Sequence, residues 1–134
     1  LILLLLLIPL SVNAQKIKGN YIGDKPLIED ITVISRGSDG LGIAELLSFE
    51  MATRGVNALT QTNFGQNTSI NSTSVNSKYA ITFSYRYNGY GGLMSMSVQI
   101  YDVYNKGKLI GRFYMKGFSK KKTKVIPKFV DVIL

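Results

Sequence analysis

The sequence predicts an α+β domain. The expected core is a mixed, mostly antiparallel sheet, built as a β-α-β unit followed by a three-stranded meander. Helices pack on one face, and a short helix ends the chain. Three observations carry this expectation. From Tyr79 to Asn88 every odd position is aromatic or aliphatic and every even position is small or polar, which is a strand with one buried face. Met94-Ser95-Met96-Ser97-Val98-Gln99-Ile100 repeats that alternation, and Asn105-Lys106-Gly107-Lys108 turns the chain into a third strand from Leu109 to Met115, so the meander fills Tyr79 to Phe118. Upstream, the β-branched run Ile31-Thr32-Val33-Ile34 precedes a stretch with helical spacing of apolar residues.

A length of 134 residues suits one domain, and 46% hydrophobic against 18% charged residues excludes wholesale disorder. The chain has no Cys, His or Trp. That removes disulfides, thiolate nucleophiles, Cys-type zinc sites and the side chain most used for proton transfer near neutral pH. A small exported domain without disulfides suits a bacterial envelope. The excess of 16 Lys and Arg over 8 Asp and Glu gives +8 and favours anionic partners, although a charge excess also serves solubility.

Taken in order, Leu1 to Leu10 is an uninterrupted apolar block, too short to cross a bilayer but right for the core of a signal peptide. Val12 and Ala14 supply small residues for cleavage before Gln15, so residues 1–14 are expected to be a leader and the protein periplasmic or secreted. A buried strand or an uncleaved anchor is the alternative. Residues 15–27, broken by Gly19, Gly23 and Pro26, read as a flexible or edge-lying arm, and 28–134 as the domain. Ile28 and Ile31–Ile34 give the first strand. Ser38 or Asp39 caps a helix from about Gly40 to Arg54, with Ile43, Leu46, Leu47 and Met51 on one face and Gly55 ending it. The glycines at its start lack the Gly-Lys-Ser/Thr of a phosphate loop. Val56–Thr60 is a short second strand.

The Asn/Ser/Thr-rich residues 61–78, with glycosylation-like patterns at Asn67 and Asn71, read as a long loop or a connection across the sheet, and as a candidate contact for a partner. Tyr85, Tyr87, Tyr90 and Tyr101 fall in or beside the meander. They are candidates for stacking on a small molecule or glycan, or simply for packing. Lys116, Lys120, Lys121, Lys122, Lys124 and Lys128 are the candidates for binding an envelope protein or an anionic cell-wall or lipid surface; equally, the run is a solvated loop that holds the last helix off the sheet. Pro127 fits the first turn of that helix, with Phe129, Val130, Ile133 and Leu134 as its stripe, while a terminal strand is the rival reading.

Paired carboxylates do not share a face: Glu45 and Glu50 are five apart on a helix, and Glu29 and Asp30 point oppositely on an extended segment. No enzymatic activity, cofactor or metal is expected, and export removes nucleic acid as a physiological partner.

The run Ile31–Ile34, the glycine-containing cap, the helix end Met51-Ala52-Thr53-Arg54-Gly55-Val56 and the later Tyr101-Asp102-Val103-Tyr104-Asn105-Lys106-Gly107-Lys108-Leu109-Ile110 resemble the periplasmic domains of CsgG-like curli-secretion subunits and LpoB-like activators of penicillin-binding proteins. In those families an Asp precedes a glycine-containing turn, the places taken here by Asp102 and Gly107. They are typically lipoproteins, whereas no Cys follows this leader. The resemblance implies an accessory or assembly role through protein contacts. The expected function is therefore a non-enzymatic exported envelope protein that binds a protein or cell-wall partner, with a glycan- or small-molecule-binding module using the tyrosines as the alternative.

Overall fold

A computed structural model describes residues 16–62 and 64–134. The leader expected at residues 1–14 lies outside them. Along the chain come β1 (Lys18–Tyr21), β2 (Asp30–Ile34), α1 (Ile43–Thr53), β3 (Asn57–Gln61), β4 (Tyr79–Tyr87), β5 (Leu93–Asp102), β6 (Lys108–Lys120) and α2 (Lys122–Ile133). The strands form one sheet in the order β1-β6-β5-β4-β2-β3. β2 is parallel to both β3 and β4, and the other pairs are antiparallel. This is the α+β architecture expected from the sequence.

The two-residue period aligns across strands. Val33 sits opposite Ile81, Ile81 opposite Ile100, Val98 opposite Phe113 and Met96 opposite Met115. These side chains form one apolar face, and Ile43, Leu47 and Met51 of α1 with Phe129, Val130 and Ile133 of α2 close over it. Each such burial stabilises by about 1.5–3 kcal/mol relative to exposure.

α1 starts at Ile43, later than expected, with Gly42 at the N-cap position; Asp39, three residues before it, still supplies the capping bonds, its carboxylate accepting from the backbone N–H of Ile43 and of Ala44, both at 2.9 Å. At the other end Gly55 adopts φ 86. Its N–H donates to Ala52 O at 3.1 Å while Val56 N–H reaches Met51 O at 3.2 Å, the paired closure that a left-handed glycine makes possible.

The C-terminal region differs from expectation. β6 runs on to Lys120 and α2 begins at Lys122, so Lys121 alone separates them and no lysine loop holds the helix away. Pro127 lies inside the helix, not in its first turn. The reason is the stripe: Val125 and Ile126 are buried with Phe129, Val130 and Ile133, which needs a helical turn before the proline. Pro127 cannot donate to Thr123 O, and Thr123 is exposed, so water can satisfy that carbonyl.

Part of the arm expected at 15–27 lies along the sheet edge as β1, paired with β6. Tyr21 fastens it. Its hydroxyl donates to Ile133 O at 2.6 Å, its ring meets Phe113 edge-on at 5.3 Å, and it lies over Gly111, where a Cβ would stand 2.8 Å from the ring.

The Asn/Ser/Thr-rich connection is packed, not free. Phe64, Ile70 and Val75 bury against Ile34, Ala80 and Val103 on the face opposite the helices. Arg36 stacks on Phe64 at 4.8 Å and donates to the carbonyls of Gly65 at 2.7 Å and Thr68 at 2.8 Å. Gly107, at φ 66, lets the β5–β6 turn touch this segment, since a Cβ there would fall 1.8 Å from Ile70 O.

Phe64→Ala is expected to cost about 3 kcal/mol or more in chemical denaturation, as an emptied core site does. A cost below about 0.5 kcal/mol would return the segment to a surface loop. Tyr21→Phe is expected to cost about 1 kcal/mol, the usual worth of one such hydrogen bond.

Candidate functional site

Outside the two cores, the described residues form recesses at the end of β2 and at the β6–α2 junction, and leave part of one sheet face open. The first recess lies at the carboxyl end of β2. Pairing with β4 stops at Ile34 and Thr82, but β4 continues to Tyr87. The overhang leaves a cleft of about 560 Å³ lined by Ser35, Arg36, Gln66, Tyr85, Tyr87 and Gln99. Successive odd positions of β4 place aromatic rings along one side: Phe83 and Tyr85 stack at 6.1 Å and 12°, and Tyr85 and Tyr87 lie 5.8 Å apart, tilted by 42°.

Tyr85 is already committed. Its hydroxyl donates to Asp39 Oδ1 at 2.6 Å and accepts from Leu41 N–H at 3.1 Å, so it holds the loop that caps α1. Burial first, then the bond to Asp39, pushes its phenol up to about 12. Tyr87 is 51% exposed and free to face a ligand.

The second recess forms where β6 meets α2. Leu41, Tyr90, Gly91 and the run from Ser119 to Thr123 line about 520 Å³. Tyr90 stands fully exposed at the tip of the β4–β5 hairpin. Lys122 Nζ donates to Leu41 O at 2.8 Å and is thereby fixed at the rim. A shallower hollow shares Leu41 and Lys122 and continues to Leu46 and Phe49. The first turn of α2 carries lysines and no acid, and its N-cap residue makes no side-chain cap. Free N–H groups, the positive end of the helix dipole and the lysines all favour an anion there.

The sequence candidates divide among these places. Lys120, Lys121, Lys122 and Lys124 gather at the β6–α2 junction, and Lys128 lies one turn further along α2, exposed. Lys116, opposite Ser95, stands on the face away from the helices. Tyr85 and Tyr87 line the first cleft, Tyr90 borders the lysines, and Tyr101 is half-buried against the second core. The four tyrosines therefore form no single platform. Arg36, Gln66 and Gln99, which complete the first cleft, were not legible in the sequence. Only the loop position of Arg36, after a strand end, hinted at it.

No protein-family profile matches the sequence, and no curated protein does either. Among solved structures the chain is similar to a variant PelC dodecamer from Paraburkholderia phytofirmans, at TM-score 0.55 and 10% identity over 85% of this chain and 91% of that one. It is also similar to TolB from Acinetobacter baumannii, at TM-score 0.51 and 12% identity over 88% of this chain and 30% of that one, so it spans under a third of TolB. At these identities the likeness is one of fold.

The shifted phenol sets an alkaline limit. An unfolded tyrosine releases its proton near 10.0, whereas Tyr85 in the fold holds it to about 12, so above pH 10 the unfolded state binds fewer protons and stability falls as pH rises. Burial, and then Tyr79, raises Tyr21 in the same direction. The melting temperature is expected to decline as pH rises above 10, less steeply in Tyr85→Phe; an identical decline in that variant would remove Tyr85 as a cause.

Proposed function

We propose that this is an exported, non-enzymatic accessory or assembly protein of the bacterial envelope that binds a protein or cell-wall partner through an anionic surface of that partner. The observation that carries the reading is the basic cluster at the β6–α2 junction. Lys120, Lys121 and Lys122 line an apolar recess with Tyr90 at its lip, Lys124 follows in the first turn of α2, and the ion pairs among the described residues, Arg54 with Glu50 and with Asp131, use none of them. Cations left unpaired beside apolar surface suit an acidic partner. Absence of His and Cys, together with the engagement of Tyr85 by Asp39, supports binding over catalysis. The apolar block Leu1–Leu10 of the expected leader and the resemblance to CsgG-like and LpoB-like domains support the envelope. The shared fold with PelC, solved as a dodecamer, makes self-assembly a further property to measure.

A second reading, a glycan- or small-molecule-binding module, is favoured by the first cleft, where Tyr87 and Gln99 line a polar recess. Ligand-induced change in tyrosine fluorescence, lost in Tyr87→Ser, is its signature.

Affinity capture from a bacterial envelope fraction tests the main reading. The protein is expected to retain a partner that Lys120→Gln, Lys121→Gln and Lys124→Gln together release, with Lys122 kept because it holds Leu41. Capture that is indifferent to the triple substitution would contradict it.

A further inference from the structure

We infer that the helix-free face of β4, β5, β6 and β1 is a second binding site, for a linear acidic glycan. The inference rests on the reading of a cell-wall partner above and supplies its chemistry. The second core covers the β2 side of this face and the ends of β4 and β5 at Ala80 and Tyr101. Beyond it, register sets Arg86 opposite Ser95 and Ser95 opposite Lys116, Gln99 opposite Arg112, and Ser97 opposite Tyr114, which in turn faces Lys18. Lys18, Arg86, Arg112 and Lys116 are all exposed, and no carboxylate occupies these register positions. Nor do they take part in the ion pairs among the described residues. A surface built only for solubility interleaves both signs. Here one sign stands alone.

Spacing selects an extended ligand. Neighbouring strands lie about 4.8 Å apart and same-face residues about 7 Å apart along a strand. Arg86 and Lys116 are thus about 10 Å apart across two strand gaps, and Arg112 and Lys116 about 13 Å apart along β6. One compact anion cannot span these cations, whereas a chain with charges at intervals can.

Between the cations lie neutral hydrogen-bonding pairs, Ser84 with Ser97 at 2.9 Å and Thr82 with Gln99 at 2.9 Å. Hydroxyl and amide groups between fixed charges match sugar hydroxyls between acidic groups. Tyr114, 41% exposed in the middle of the face, offers a flat ring for a sugar. A single-stranded nucleic acid needs an aromatic platform for successive bases, and these register positions supply one ring only. A lipid surface needs protruding apolar side chains, which the same positions lack. The face also runs into the first cleft, because Thr82, Ser84 and Gln99 belong to both, so Arg36 and Gln66 form a wall along one side.

Calorimetric titration of the purified protein with an alginate oligosaccharide, inorganic polyphosphate, an oligothymidylate and neutral dextran tests the inference. Alginate is expected to bind and dextran not to. Arg86→Gln with Arg112→Gln should weaken alginate about tenfold or more, the loss of charge-assisted hydrogen bonds, while unchanged circular dichroism shows the fold intact. Lys25→Gln with Lys106→Gln, an equal charge change elsewhere, should leave the affinity within about twofold. No binding of alginate, equal binding by the Arg86/Arg112 variant, or tighter binding of polyphosphate or oligothymidylate overturns the glycan assignment. If alginate fails while the envelope capture still depends on the junction lysines, this inference falls alone; if both fail, the reading beneath it falls too.

Discussion

β2 is flanked on both sides by strands parallel to it, and the rest of the molecule follows from that placement. Parallel neighbours cannot be joined by a tight turn, so the chain must cross the sheet twice, from β2 to β3 and then back past β2 to β4. Two crossovers in opposite lateral directions share a hand only if they pass over opposite faces. α1 takes the first, and residues 64–78 take the second, where Phe64, Ile70 and Val75 build the smaller core. The antiparallel strands β5, β6 and β1 then extend the sheet, and the second crossing touches them at the Tyr101–Val103 end of β5 and at the turn through Gly107. Elsewhere their outer face stays wet. Folding thus uses one whole face and part of the other, and what is left for binding is the polar remainder and the junctions at its ends.

Electrostatics reinforce this division. A chain with +8 and one arginine-centred pair of salt bridges among its described residues carries most of its positive charge uncompensated. Cations at the start of α2 oppose the helix dipole by about 0.3–1 kcal/mol each when they lie in the first turn. The burial of Val125, Ile126, Phe129, Val130 and Ile133 outweighs that cost, so the arrangement survives without being favourable in itself. Charge retained against folding stability in this way is charge available to a partner. The junction lysines flank apolar surface near Tyr90 and Leu41, whereas Lys18, Arg86, Arg112 and Lys116 sit among hydroxyls and amides, so the two regions suit different surfaces.

Much of the fold was legible. The period of two in β4 and β5 marked the buried face correctly, because each aliphatic residue there meets another across the strand, and Asp39 and Gly55 marked the ends of α1 because backbone geometry restricts which residues suit those places. The sequence was silent where long-range pairing decides. β1 is four residues with no apolar pattern, and its place depends on β6, some ninety positions later, through Tyr21. α2 starts earlier than Pro127 suggested because Val125 and Ile126 are core residues, which only the partner surface reveals. The lysine run drew attention because its members are contiguous, and Lys120, Lys121 and Lys122 do line one recess, whereas the strand's alternation sets Lys116 on the face away from the helices. Lys18, Arg86 and Arg112, scattered in sequence, come together through a register that shifts between Arg86 and Tyr87, between Leu93 and Ser95, and between Ile100 and Tyr101. No local pattern encodes those shifts.

The two faces of the sheet have separate fates, one sealed by helices and the other left partly open to solvent. A chain without cysteine allows this to be read directly, since a single introduced thiol reports its own exposure. Ser84→Cys, on the open face, is expected to react with a thiol reagent in the native state about as fast as a free thiol and to be shielded by an acidic oligosaccharide, while Val98→Cys, under the helices, stays unreactive until the protein unfolds. A slow Ser84→Cys in the free protein, or a fast Val98→Cys, would contradict the division on which the binding face depends.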